Sequence, residues 1–304
     1  MEALRAFQPD LIHITGPGDC SLMGAIAAWH LGVPMAASWH TNVHEFLERR
    51  IHKTFAWLPP TLRSGFAAFC RETSLTITLQ IYKPAQVLYA PNQELVSLLE
   101  SRTGRPCHVM TRGIDTHLFD PARRRRSDDA IVLGFVGRLF AEKNVRFLKN
   151  VEDGLLQRGI TNYRFLIVGH GSEEDWLRTN LRQVEIAGLL RGEALAAAYA
   201  NMDIFVFPSH TDTFGNVVQE ALASGVPAVV TGSGGPKFIV RDGISGLVGD
   251  TDDRFISAAV ELAENTSLRD RMKQAARQQA LNTSWDAVFE AVYNGYSAIP
   301  MPSR

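Results

Sequence analysis

The 304-residue sequence has little cysteine, almost no net charge and no long apolar run, and each shortage removes a class of protein. Its three cysteines, Cys20, Cys70 and Cys107, stand far apart with no CxxC pair. That argues against a disulfide framework or a zinc site and for a reducing compartment, the cytoplasm. With 31 Lys plus Arg against 32 Asp plus Glu, no long-range field recruits nucleic acid, so any charge argument has to be local. No stretch reaches the roughly 18 apolar residues of a spanning helix. The opening MEALRAFQPD lacks a signal peptide's apolar core, and a soluble or peripheral protein is expected.

What is present points to an α/β protein. Hydrophobic residues make up 45% of the chain, enough for sizeable cores, and roughly 100 to 200 residues per domain implies two domains. Short apolar runs ending in Gly or polar residues alternate with amphipathic stretches, the rhythm of βα units on a parallel sheet. Strands are expected at 11–15, 34–40, 77–82, 86–90, 108–110, 131–137, 165–169, 203–208 and 227–231. Apolar periodicity lapses in THLFDPARRRRSDD, which sets a linker at 116–129 between a first domain, 1–115, and a second, 130–285. The second is long enough for a complete doubly wound sheet. The first has no Gly-rich opening βα unit ahead of its first strand, so an incomplete domain is expected there.

In GFVGRLFAEKNVRFL an apolar strand runs into Gly137 and Arg138, with Lys143 five residues later at a helix start. Ligands of open α/β sheets bind at the carboxyl ends of strands, where two such cations could clamp a diphosphate; a strand-end Arg and a solvated Lys are the ordinary alternative. In TDTFGNVVQE a helix is expected from about Phe214 to Ala223, its buried face carrying Val217, Val218, Ala221 and Leu222. Thr213, Asn216 and Glu220 fall on a separate polar stripe. Gly215 in the first turn would leave backbone N–H groups open to phosphate or sugar oxygens. Asp212 reads most simply as the N-cap, and Glu220 as a solvated helix residue. At the end of PMAASWH, His40 could donate to a sugar hydroxyl or assist a departing proton. A metal held by His40 and His44 lacks a third ligand at suitable spacing, and HExxH is absent.

Taken together, GRLFAEKN, FLIVGHGSE, AGLLRGEALAAAYANMDIFVFPS, TDTFGNVVQEALASGVPAVVT, GSGGP and DGISGLV resemble the C-terminal domain of the family 4 glycosyltransferases. The resemblance implies the GT-B fold, two Rossmann-like parallel-sheet domains facing a cleft. That family marks its donor site with two acidic residues separated by seven others, as Asp212 and Glu220 are, with Asp in place of the commoner Glu. By resemblance, Gly137, Arg138 and Lys143 meet the donor diphosphate and stabilise the departing nucleotide, and Glu220 holds the ribose. Asp212 and the backbone of Thr213, Phe214, Gly215, Asn216 and Val217 take the sugar and phosphates, with Leu190 against the base. Segments similar to SWHTN carry a substrate-contacting histidine, here His40, and Gly113 to Asp115 edge the cleft. SWDAVFEAVYNGYSAI resembles the terminal helix, about 286–304, that returns to the first domain. His170 and Lys237 stand where acidic residues are frequent in the family, which bears on donor choice.

The implied reaction is metal-independent, cofactor-free, retaining transfer of a hexose, mannose or glucose, from a GDP- or UDP-sugar to a hydroxyl of a lipid or polysaccharide. The alternatives are a nucleotide-sugar-binding remnant without turnover and an epimerase of the same fold. GPGDCS and GHGSEE lack the third glycine of a dinucleotide site. Arg123 to Arg126 reads as a solvated linker. A second reading gives that run, with Arg49, Arg50, Lys53 and Arg63 around Phe55 and Trp57, a contact with anionic membrane.

Overall fold

A computed structural model describes residues 1–299. The chain divides into two compact units, Met1–Thr111 with Val288–Arg304, and Arg112–Ala287.

The first unit runs α1 (Glu2–Phe7), β1 (Ile12–Ile14), α2 (Asp19–Leu31), β2 (Met35–Ser38), α3 (Val43–Thr54), α4 (Pro60–Tyr82), β3 (Val87–Ala90), α5 (Gln93–Thr103) and β4 (Cys107–Val109). Its four strands are all parallel, in the order β1-β2-β3-β4. Ala28 of α2, Leu75, Leu79 and Tyr82 of α4, and Leu95, Val96 and Leu99 of α5 close one core against the sheet. The segment expected as a strand at 77–82 is instead the last turn and a half of α4. Its β-branched and aromatic residues suggest a strand, but Leu75, Thr78, Leu79 and Tyr82 are the buried ones, three and four apart, and that helical stripe decides the conformation.

The second unit contains β5 (Ile131–Val136), α6 (Leu148–Gln157), β6 (Tyr163–Val168), α7 (Glu174–Asn180), β7 (Val184–Gly188), α8 (Gly192–Ala200), β8 (Ile204–Phe207), α9 (Asn216–Ala223), β9 (Ala228–Thr231), β10 (Gly246–Gly249), α10 (Asp252–Glu264) and α11 (Thr266–Leu281). The final helix, α12 (Trp285–Ser297), brings the chain back to the first unit, where the Tyr89 hydroxyl donates to the Val292 carbonyl at 2.8 Å. Six parallel strands lie in the order β10-β9-β8-β5-β6-β7. The central strands are buried along almost their whole length, which is why they read as unbroken apolar runs. Strands β7 and β10 were not expected. Both are edge strands, one interrupted by the exposed Glu185 and the other bounded by two glycines, so neither presents a continuous apolar run.

Residues 116–129, expected as the linker, lie within the second unit, and two arginines of the run there are paired with a buried carboxylate while Arg125 stays exposed. Arg124 and Arg126 reach the buried Asp203 carboxylate at 2.9 and 3.0 Å, and Arg123 lies 3.6 Å from Glu193. Arg277 of α11 donates to the Thr116, Phe119 and Ala223 carbonyls and to Asp120. A buried carboxylate holds cations close in a way solvent does not, so two of the four arginines are tied to Asp203.

Candidate functional site

The chain builds β5, β6 and β7 outward in one direction, then crosses back so that β8 pairs with the other side of β5. Strand order reverses between β5 and β8, and the loops leaving them diverge there, opening the crevice in which open α/β sheets hold ligands. Arg138 and Lys143 stand on the first of those loops, Asp212 on the second, and Glu220 on α9, which follows it.

After β5, Arg138 is 68% exposed; its guanidinium donates to Glu142 at 2.5 Å and lies over the Phe140 ring at 5.9 Å. Lys143 ends a short 3-10 turn, Ala141–Lys143, and its Nζ donates to Asp212 Oδ1 at 2.6 Å. This pair is largely withdrawn from solvent, at 13% and 19% exposure, and Asp212 Oδ2 is buried without a partner among the described residues. Asp212 is therefore not the N-cap expected. The helix starts later, at Asn216, with Gly215 as N-cap in a left-handed conformation at φ 108°, and the nearby ammonium draws the carboxylate away from the helix.

The N-terminus of α9 turns its first backbone N–H groups outward, as every helix start does. Arg112 flanks it, donating to Asn216 Oδ1 at 3.0 Å and lying over the Phe214 ring at 5.5 Å, while Gln219 donates to the Arg112 carbonyl at 2.7 Å. Thr213 and the buried Phe214 form the approach, and Val217 is partly buried. On the next turn Glu220 accepts from the Tyr199 hydroxyl at 2.7 Å. Burial pushes the Glu220 carboxyl above its ordinary range, and the Tyr199 bond opposes the rise. Gly137 closes β5 with its N–H on the Val168 carbonyl, and Leu190 lies just beyond β7 beside the exposed Leu189.

The loop 232–236 packs against the backbone of residues 210–214. The Gly235 N–H donates to the Asp212 carbonyl at 2.6 Å, and a Cβ on Gly235 would lie 2.2 Å from the Thr213 carbonyl oxygen. Gly235→Ala should thus displace the 212–214 backbone while the rest of the domain stays folded. The expected result is a melting temperature lowered by only a few degrees, read by thermal unfolding.

In the first unit, His40 follows β2, its Nε2 at 2.9 Å from Ser38 Oγ. His13 of β1 stacks on Tyr89 and pairs with the Tyr296 hydroxyl; burial, then the neighbouring His40, lowers its pKa to about 4. His44 is buried on α3 against the Trp39 ring. Among the described residues no three His, Cys, Asp or Glu side chains gather as they would round a metal ion.

Along α3, α4 and the turn between them, apolar and basic side chains are both exposed. Phe46, Trp57, Leu62, Phe66 and Phe69 are exposed, Trp57 at 76%, and so are Arg50 and Lys53. Phe55 is turned in against Phe66, and Arg63 donates to the Ala56 carbonyl. Among the described residues no helix is long and apolar enough to cross a membrane.

The sequence profile described as glycosyl transferases group 1 matches residues 130–265, and that of glycosyltransferase family 4 matches residues 1–118. A GDP-mannose-dependent alpha-mannosyltransferase of Mycobacterium tuberculosis is 33% identical over 309 residues, covering 98% of this chain and 75% of the relative. The chain belongs to glycosyltransferase family 4. Another relative of this glycosyltransferase, the sulfoquinovosyl transferase SQD2 of Arabidopsis thaliana, is 30% identical over 97% of the chain and 58% of its own length. Among solved structures, Anabaena HepE in complex with UDP superposes with a TM-score of 0.75 at 18% identity, covering 98% of this chain and 81% of that one. The sucrose-phosphate synthase of Thermosynechococcus elongatus gives 0.73 at 19% identity, over 97% and 75%. These likenesses establish the GT-B fold for this glycosyltransferase.

Two polar residues of the site were missed in the sequence reading. Arg112 sits beside the TRGID glycine that was noticed, yet only the fold carries it to α9. Tyr199 lies in the alanine-rich AAAYANMD, where a tyrosine reads as core.

Proposed function

We propose that this glycosyltransferase moves mannose, or failing that glucose, from a GDP- or UDP-sugar to a hydroxyl of a lipid or glycan, with anomeric configuration retained. The observation that carries the reading is the Lys143–Asp212 pair at the strand-order reversal, formed between the loop that also carries Arg138 and the loop that leads into α9. Arg138 and Lys143 would neutralise the charge that develops on the departing diphosphate, so no metal is required for that task. The backbone from Thr213 to Val217 would take phosphate and sugar oxygens, and Asp212 Oδ2 would accept from a hydroxyl of the transferred sugar. Glu220 would hold the ribose and Leu190 the base. His40, on the first unit, would contact a sugar hydroxyl.

In the proposed step the bond from the anomeric carbon to the phosphate oxygen breaks and its electron pair leaves with the nucleotide. The acceptor oxygen bonds to the same face of the sugar, and its proton passes to the leaving phosphate oxygen. The relatives named as GDP-mannose-dependent mannosyltransferases favour mannose and GDP. Thermal unfolding against GDP-, UDP- and ADP-sugars tests the donor, since a ligand at about 100 times its Kd adds about 2.7 kcal/mol. GDP-mannose is expected to raise the melting temperature by several degrees and to yield an α-linked product by NMR. An isomerised donor without transfer would favour the epimerase, and binding without turnover a non-catalytic protein.

We also place the enzyme in the cytoplasm on the inner face of the membrane, held by the exposed face of α3 and α4. Aromatic side chains flanked by Arg50 and Lys53 suit an anionic bilayer, and basic residues near such a surface contribute about 1 kcal/mol each. The double variant Arg50→Ala, Lys53→Ala should weaken sedimentation with phosphatidylglycerol vesicles about 30-fold. Equal binding to neutral phosphatidylcholine vesicles would rule this surface out.

A further inference from the structure

The Tyr199–Glu220 bond joins a rigid donor to a flexible acceptor. Tyr199 is fully buried on α8, its ring edge-on to Phe119 at 5.7 Å and tilted against Phe205 at 5.7 Å. A tyrosine ring has two side-chain torsions, and packing on this scale leaves its hydroxyl little freedom. Glu220, by contrast, is a longer side chain on the first turns of α9 and only partly buried. Left alone it would sample several rotamers, and ordering it on binding would cost affinity. The Tyr199 hydroxyl takes up Oε2 at 2.7 Å, and among the described residues Oε1 accepts no hydrogen bond.

We infer that Tyr199 is a positioning residue for ribose recognition: from the core it fixes one carboxylate oxygen of Glu220 so that the other is presented, already oriented, to the ribose hydroxyls of the donor. The inference rests on the reading of Glu220 as the ribose-binding residue. A tyrosine that only stitches α8 to α9 would support every ligand of the domain equally. One that orients Glu220 supports only ligands that carry ribose hydroxyls, and this difference can be measured.

Calorimetric titration of the full chain with GDP and UDP, and with their dideoxyribose counterparts lacking both ribose hydroxyls, separates the cases. The wild type should bind the ribonucleotide about 10-fold to 100-fold more tightly than its dideoxy counterpart, the range expected for hydrogen bonds to a charged group. Tyr199→Phe removes one oxygen and keeps the ring. It should weaken ribonucleotide binding about 10-fold and leave the dideoxy compound unaffected, so that the discrimination shrinks; unchanged dideoxy affinity also reports that the pocket is folded. In turnover the same variant should raise donor KM and spare kcat. Glu220→Gln is the companion variant. If it loses discrimination while Tyr199→Phe keeps the wild-type ratio, Glu220 binds ribose without help from Tyr199 and the inference falls alone. Equal weakening of both compounds in Tyr199→Phe means a structural stitch and also overturns it. If the wild type shows no discrimination, the reading of Glu220 fails and the inference falls with it.

Discussion

Arg138→Ala is expected to lower turnover about 10²-fold to 10³-fold with the melting temperature unchanged. The guanidinium is mostly exposed and its visible partner, Glu142, is an i,i+4 surface pair, so its removal costs the fold little. Its proposed work is done in the transition state, where negative charge moves onto the leaving diphosphate and a preorganised planar donor is worth most. The loss should therefore fall on kcat more than on donor KM. Glu142 accepts from Nη2 alone at 2.5 Å, which leaves other N–H donors of the 68% exposed guanidinium for the proposed contact with a diphosphate. Steady-state kinetics with saturating donor decides the matter: an Arg138→Ala enzyme with wild-type kcat would remove this residue from the mechanism.

Asp203→Ala should destabilise the second unit by about 3 to 5 kcal/mol, the scale seen when one partner of a buried ionic cluster is deleted. The carboxylate is 6% exposed and accepts from Arg124, Arg126, Lys273 and the Val132 N–H. Removal leaves Arg126 without its buried partner and frees the start of β5, whose N–H it holds. Burial by itself would raise the Asp203 pKa, but the Val132 N–H with Lys273, Arg124 and Arg126 outweighs it, and the net shift is downward. A carboxyl with a depressed folded-state pKa contributes stability that is present above its ordinary value and lost as pH falls through the lowered one. The wild type should therefore lose this contribution below about pH 4, and Asp203→Ala should show a flatter acid limb. Urea unfolding at neutral and acid pH measures both. A variant of wild-type stability would mean that the arginine run is held by other contacts.

The parts of the fold visible in sequence were those encoded locally. β5, β6, β8 and β9 are buried on both faces and announce themselves as unbroken apolar runs. Edge strands β7 and β10 carry polar or glycine interruptions and did not. The run at 77–82 misled because strand-favouring residues were placed on a helical stripe, and only the packing of α4 against the sheet shows which period is in force. The Arg123 to Arg126 run looked solvated because Asp203, its partner, lies at the start of a distant strand.

Taken by itself, the sequence determined the chemical equipment: cations just past one strand, an acid pair around a glycine helix start past another, and the parallel α/β class that puts strand ends where ligands bind. These follow from residue identity and short-range periodicity. The tertiary structure decided the partners. It set Lys143 on Asp212 rather than leaving the carboxylate to cap a helix, gave Tyr199 to Glu220 and Arg112 to Asn216, and tied half of a basic run to one aspartate. Each of those pairings depends on β8 crossing back beside β5 or on helices meeting over the sheet, and strand order is a long-range property that no local stretch of residues specifies.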